Sequence, residues 1–263
     1  MKDTDRDFVP DAALAARLRK ALTASSDELY QLVQDASTEV ILNILKNPNT
    51  AEDHLLSLLK RRDLREEIPR AIYSSERVER THRLQVALVR NPATPAPLAL
   101  TLLPHLHLFE LVDLLYLPGA TPDQKVAAER EITRRLPSVP LGNLITLSRR
   151  ASHAIVAEIL KLGRPDAVAV CLSNPRLKEV GILQFINSGA ANAETISMIA
   201  RHPRWKNRPR LRMAILKHPR TPPVWHTLWL PELKVPQLKE LRLSSRLQPA
   251  ARQRVEAELR NRL

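Results

Sequence analysis

The stretch Asn91-Pro92-Ala93-Thr94-Pro95 limits what this chain can fold into more than any other. Before it, Leu84 and Leu88 recur at helical spacing, with Val86 and Ala87 one face over. After it, Leu98, Leu102 and Leu103 begin a second apolar stripe. Pro92 lacks an amide hydrogen and its ring clashes with the preceding turn, so it ends the first helix. Thr94 is placed to cap the next helix, with Pro95 at its first turn. The motif is therefore a helix-to-helix corner, and it recurs. Asn47-Pro48-Asn49-Thr50 and His218-Pro219-Arg220-Thr221-Pro222 are close copies; Pro137-Ser138-Val139-Pro140 and Asn174-Pro175-Arg176-Leu177 are weaker ones. The corner prolines at 48, 92, 137, 175 and 219 follow one another at 44, 45, 38 and 44 residues. A period of that size is the signature of a helical repeat array.

A longer period lies over the short one. Shifted by 127 residues, Arg83–Leu136 falls on Arg210–Leu263 without a gap, pairing Pro92 with Pro219, Thr94 with Thr221 and Pro95 with Pro222. The register continues through Leu103/Leu230, Pro104/Pro231, Glu129/Glu256, Glu131/Glu258 and Arg135/Arg262. Residues 39–136 and 166–263 thus read as two copies of one unit, joined by connecting helices over 137–165 and preceded by a tail and capping helices over 1–38.

The corners and the spacing of roughly 42 residues resemble those of the HEAT-like and variant leucine-rich repeat families. The resemblance covers about residues 39–263. It implies an all-α chain, a right-handed α-solenoid of paired helices with an internal tandem duplication, and a binding surface rather than a particular activity. One iron–sulfur member of the variant type carries a cysteine cluster, which Cys171 alone cannot copy.

Composition agrees. Five glycines, nine aromatic residues and 21 prolines in a leucine-, alanine- and arginine-rich chain suit many short helices with sharp corners. A lone cysteine excludes an internal disulfide and fits a reducing compartment. The most apolar run, Leu98–Leu117, is interrupted by Pro104, His105, His107, Glu110 and Asp113, so no membrane insertion is expected. The acidic start, Met1 to Asp7, is unlike a signal peptide, and a cytoplasmic protein is the expectation. In order, the pattern predicts a loose tail over 1–10 and helices over 11–22, 26–34, 38–46 and 51–62. Two more follow over 64–89, and Thr121-Pro122-Asp123-Gln124 forms a capping box before a helix to Leu136.

No phosphate loop, dinucleotide fingerprint, zinc-protease motif or nucleophile elbow occurs. His105 and His107 stand two apart and would point to different helix faces, so no metal or cofactor is expected there. Glu129/Glu131 and Glu256/Glu258 read as helix surface paired with Arg135 and Arg262, and Cys171 as a small buried hydrophobe. No catalytic residue is assigned, and the chain reads as a non-enzyme.

Charge is the informative feature. The net charge is +13, yet residues 201–263 alone hold 16 basic and 4 acidic side chains, whereas the equivalent stretch 74–136 holds 8 and 7. Between 201 and 220, Arg201, Arg204, Lys206, Arg208, Arg210, Arg212, Lys217 and Arg220 occur without an acid. A single-signed cluster repels itself unless an anion is near. Trp205 lies within it and has the better claim to exposure, whereas Trp225 and Trp229 replace Leu98 and Leu102 and read as core. These eight cations with Trp205 form the expected binding site. The leading reading is a scaffold whose basic C-terminal half binds an acidic protein segment or a nucleic-acid backbone, without reading sequence. A peptide adaptor with incidental charge is the alternative. A third reading, an alkylpurine DNA glycosylase of HEAT-like type, would place tryptophans, an aspartate and an arginine on the concave face. After Asp166, however, the chain has no aspartate.

Overall fold

In this computed structural model residues 12–262 are described, so the tail expected over residues 1–10 lies outside them. Every regular element among the described residues is helical, and no helix is long and apolar enough to cross a membrane. The chain forms two compact units, residues 1–131 and 132–263.

The first unit holds α1 (Ala12–Thr23), α2 (Ser26–Leu32), α3 (Thr38–Lys46), α4 (Glu52–Leu59), α5 (Glu67–Tyr73), α6 (Glu76–Arg80), α7 (His82–Arg90), α8 (Ala96–Leu102) and α9 (Leu108–Leu115). The division falls inside α10 (Pro122–Arg135). The second holds α11 (Leu141–Arg150), α12 (His153–Lys161), α13 (Pro165–Ser173), α14 (Glu179–Ile186), α15 (Ala193–Arg201), α16 (Pro209–Lys217), α17 (Pro223–Trp229), α18 (Val235–Arg242) and α19 (Pro249–Arg260).

The local causes are those of short amphipathic helices. In α3, Ser37 accepts a hydrogen bond from the Val40 amide at 3.4 Å, and Val40, Ile41 and Ile44 face inward. Each such burial contributes about 1.5–3 kcal/mol. In α7 the buried set is Leu84, Gln85, Leu88 and Val89. Burial on one stripe forces each helix against neighbours, and the units become two-layered. In the first, α1 packs on α3 and α3 on α5, while α2 packs on α4 and α4 on α7. In the second, α11, α13 and α15 form one row and α12, α14, α16 and α18 the other. This is tandem helix-hairpin packing, the arrangement of an α-helical repeat.

Two local expectations are corrected. Residues 64–89 form three helices, not two, because Thr81 is extended (φ −125°, ψ 102°) and separates the five-residue α6 from α7. The corner threonines also act at the other end of the turn. Thr94 Oγ1 donates to the Leu88 carbonyl at 2.6 Å, closing the end of α7, and Pro95 occupies the N-cap of α8. Thr50 and Thr221 make the same bond to the Ile44 and Ile215 carbonyls. The box at Thr121 forms as expected, with the Thr121 amide on Gln124 Oε1 at 2.8 Å and the Gln124 amide on Thr121 Oγ1 at 3.2 Å.

The asparagine before three of the corner prolines explains how those repeats adhere. Asn91 Oδ1 accepts from the Ala93 amide (2.9 Å), and its Nδ2 donates to the carbonyls of Leu59 and Arg61, both at 2.8 Å. Asn47 reaches Ala21 and Ala24 in the same way, and Asn174 reaches Ser148. These amides are buried and satisfy carbonyls freed at the end of the preceding repeat's helix. Asn47, Asn91 and Asn174 are therefore the mortar between repeats.

Element starts also keep a register. α3 and α13, α4 and α14, α7 and α16, α8 and α17, α9 and α18, and α10 and α19 each begin 127 residues apart. The exceptions are α5, whose counterpart α15 begins 126 residues later, and α6, whose equivalent stretch is only a turn after His202.

Candidate anion-binding groove

The basic run from Arg201 to Arg220 does not fold into one face. Trp205 is buried, 3% exposed, and its Nε1 donates to the Leu172 carbonyl at 2.8 Å. The expectation of an exposed Trp205 is thus overturned. An indole this size, placed over the end of α13, contributes more by burial than by waiting in water. Trp225 and Trp229 are buried as expected, with ring centroids 5.1 Å apart.

Four of the eight cations are consumed internally. The Arg204 guanidinium lies 4.3 Å from the Trp205 ring centroid and donates to the carbonyls of Asn174 (2.8 Å), Leu177 (3.0 Å) and Pro175 (3.2 Å). Arg220 donates to the Gly189 and Ala191 carbonyls, both at 3.1 Å. Arg212 pairs with Glu232 at 2.6 Å and stacks on Trp229, and Lys217 pairs with Glu240 at 2.6 Å. The acids absent from the run arrive from 20 and 23 residues away. Arg201 is exposed with its guanidinium 5.9 Å from the Trp225 ring centroid. Lys206, Arg208 and Arg210 are exposed, and their side chains have no hydrogen-bond or ion-pair partner among the described residues.

A signal for the internal arginines was present in the sequence. Asn174-Pro175-Arg176, His202-Pro203-Arg204 and His218-Pro219-Arg220 each put arginine after a proline that follows a helix end, although Pro203 lies outside the period of the other corners. In all three the guanidinium reaches back to carbonyls 26–31 residues earlier. Arg61 does the same to Val33 and Asp35 (2.7 and 2.8 Å), so it too serves the preceding loop.

Arg210 and Lys217 converge on a groove of about 750 Å³ along α16 and α18. Met213, Ala214 and Leu243 give it apolar surface, and Arg210, Lys217, His218, Glu240 and Arg246 give it charge. Leu243 is 79% exposed. Arg246 donates to Asn187 Oδ1 at 2.7 Å, and both residues line the groove. The first unit has a groove of about 730 Å³ built from equivalent positions: Arg83, Val86, Ala87, Arg90 and Glu110 stand where the second has Arg210, Met213, Ala214, Lys217 and Gln237. The electrostatics differ. Arg83 is held by Glu52 (3.3 Å) and Asp53 (3.7 Å); Glu52 corresponds to Glu179 but Asp53 to Val180, and Arg210 makes no ion pair among the described residues. The units differ likewise as wholes: residues 1–131 hold 17 basic and 20 acidic side chains, and residues 132–263 hold 24 and 8.

Other titratable groups are accounted for by packing. The Cys171 thiol is buried, donates to Ser148 Oγ at 3.3 Å, and is pushed by burial up to about 11, which makes it inert at neutral pH. Glu258 pairs with Arg262 at 2.6 Å, as the sequence suggested. His105 and His107 do not form a pair of ligands; instead His107 lies with His82 and Glu110, whose ligand atoms fall within 4.8 Å of one another.

The histidines of the second unit give a pH prediction. His202 and His218 accept backbone amides through Nδ1, from Arg204 at 3.3 Å and Arg220 at 3.1 Å, which a protonated ring cannot do. Burial, then the neighbouring Arg204, lowers His202 below its usual value; burial, then Arg220 and Arg246, lowers His218. Burial first, and Arg254 further, also lowers His226. The unfolded chain therefore takes up protons near pH 6.5 before the folded one. This stability is complete above about pH 6.5 and is lost on acidification through the lowered folded values. Urea midpoints should fall between pH 7.5 and pH 5, and His218→Asn, the residue of the equivalent corner at 91, should reduce the fall. Equal wild-type midpoints would contradict this.

No protein-family model matches the chain, and neither the curated proteins nor the solved structures contain a match.

Proposed function

We propose that this protein is a non-catalytic helical-repeat scaffold whose second, basic unit holds an acidic protein segment in the groove along α16 and α18. The observation that carries this reading is Arg210: it lines a groove with an apolar floor and makes no ion pair among the described residues, whereas Arg83 at the equivalent position is held by two carboxylates, one of which is replaced by Val180. An extended segment offering carboxylates and an apolar side chain would satisfy Arg210 and Arg246 while covering Leu243. The shared element register supports two copies of one right-handed solenoid segment, over 39–136 and 166–263, whose surfaces have diverged in charge. A cytoplasmic setting belongs to the same proposal.

A second reading rests on a separate observation. Lys206, Arg208 and Arg210 follow one another around the start of α16 without internal partners, a disposition suited to a nucleic-acid backbone.

One experiment addresses both. A labelled Glu/Asp-rich peptide with one leucine and a labelled 20-base-pair duplex are titrated against the wild type and an Arg210→Glu, Arg246→Glu variant. The groove reading expects peptide affinity to fall about tenfold or more, equivalent to about 1.4 kcal/mol, with the unfolding midpoint almost unchanged. The backbone reading expects duplex binding that weakens steeply with salt, with a log–log slope of about −0.9 per phosphate neutralised. Peptide binding equal in both proteins would sink the groove.

A further inference from the structure

The first unit's groove carries a feature that the second lacks. His82 opens α7, His107 is the N-cap of α9, and Glu110 lies in the first turn of α9. Packing of the helices brings residues 25 and 28 positions apart to one point at the groove's edge. His82 Nε2 lies 2.8 and 3.0 Å from the two Glu110 oxygens, and the two imidazole centroids are 4.2 Å apart. All three side chains retain solvent access. We propose that His82, His107 and Glu110 form a three-ligand site for a divalent cation of the zinc class.

The chemistry of the donors selects the ion. Two imidazole nitrogens and one carboxylate oxygen suit zinc and its neighbours, and hard-oxygen cations such as calcium or magnesium less well. Zinc held at about 2.0–2.1 Å by tetrahedral donors places those donors about 3.3 Å apart. The His82–Glu110 pair is already inside that distance, and the exposed His107 ring closes the remainder by rotation. Of the cations lining the groove, Arg83 is drawn to Glu52 and Asp53, Arg90 to Asp113 at 3.6 Å, and Arg61 to Asp63 at 2.8 Å, which lessens their opposition to the ion. Three protein ligands would leave a tetrahedral ion one further position for water or a donor from a bound segment.

The corner itself does not require these residues. At the positions 127 residues later stand Pro209, Lys234 and Gln237, none of them a good ligand for zinc. There Gln237 Oε1 accepts the Lys234 amide at 2.9 Å, the same helix-capping bond that Glu110 makes to the His107 amide at 2.7 Å. Glutamine and lysine therefore build the cap, and the two histidines with a carboxylate are an addition specific to the first unit. The proposal is independent of the basic groove in the second.

The equivalent corner supplies the test. In the full chain, His107→Lys with Glu110→Gln installs the second unit's residues and keeps the cap. Zinc chloride is titrated calorimetrically into wild type and variant at pH 7.5, and cobalt(II) is added in parallel to read its visible ligand-field bands. The wild type should take up one equivalent and show the bands of a low-coordinate nitrogen–oxygen site. The variant should lose both, with affinity lower by about 100-fold or more, since even outer partners of a ligand cost about 10–100-fold. Circular dichroism should be superposable for the two. Equal zinc affinity in both proteins, or a wild type that takes up no zinc, would overturn the site.

Discussion

Trp205→Ala is expected to lower unfolding free energy by about 3–5 kcal/mol, the range for emptying a buried tryptophan site. The indole fills space at the end of α13, its Nε1 satisfies the Leu172 carbonyl, and the Arg204 guanidinium covers its face. Truncation removes all three contributions and leaves a carbonyl without its donor. Equilibrium urea denaturation read by circular dichroism gives the loss. A change below about 1 kcal/mol would return Trp205 to the surface, where a base- or peptide-stacking role could again be argued. The ring as placed offers no exposed face for stacking, and the glycosylase reading loses the tryptophan on which it relied.

Much of the fold was legible because its causes are local. The corner Asn-Pro pairs give the ends of α3, α7 and α13, and α3 begins and ends at Thr38 and Lys46 as the spacing predicts. The extra break at Thr81 was not legible, since no proline or glycine marks it. Charge was legible in amount and opaque in destination. That the last 63 residues are basic needs only counting, but Arg204 and Arg220 find carbonyls some 30 residues back, and Arg212 and Lys217 find acids on later elements. Repetition was the clue: arginine follows a proline at a helix end three times in the second unit, and a residue that recurs with that turn serves the turn. The His82, His107 and Glu110 group was hidden for the same reason. In sequence His107 stands beside His105, while its neighbours in space lie on α7 and one turn into α9.

The distinction between scaffold arginines and free ones leads to the second large effect. Arg204→Ala removes a guanidinium that donates to three carbonyls and stacks on an indole. Hydrogen bonds from a charged donor contribute about 1.5–3 kcal/mol and an exposed cation–π contact about 0.5–1, so a loss of about 2–4 kcal/mol is expected. Arg204→Lys should recover little of it, because an ammonium cannot present the same fork to three acceptors. A triple change of Lys206, Arg208 and Arg210 to glutamate should do the reverse: stability within about 0.5 kcal/mol of wild type, and weaker binding of whichever anionic probe the protein holds. Each variant is measured both ways, by denaturation and by binding of the acidic peptide and the duplex. A charge-cluster site spanning the whole run predicts instead that Arg204→Ala is stable and binds poorly. Arg204→Ala that is unstable yet binds normally once folded, beside a stable triple variant that binds poorly, would assign one arginine to holding repeats together and the others to the partner.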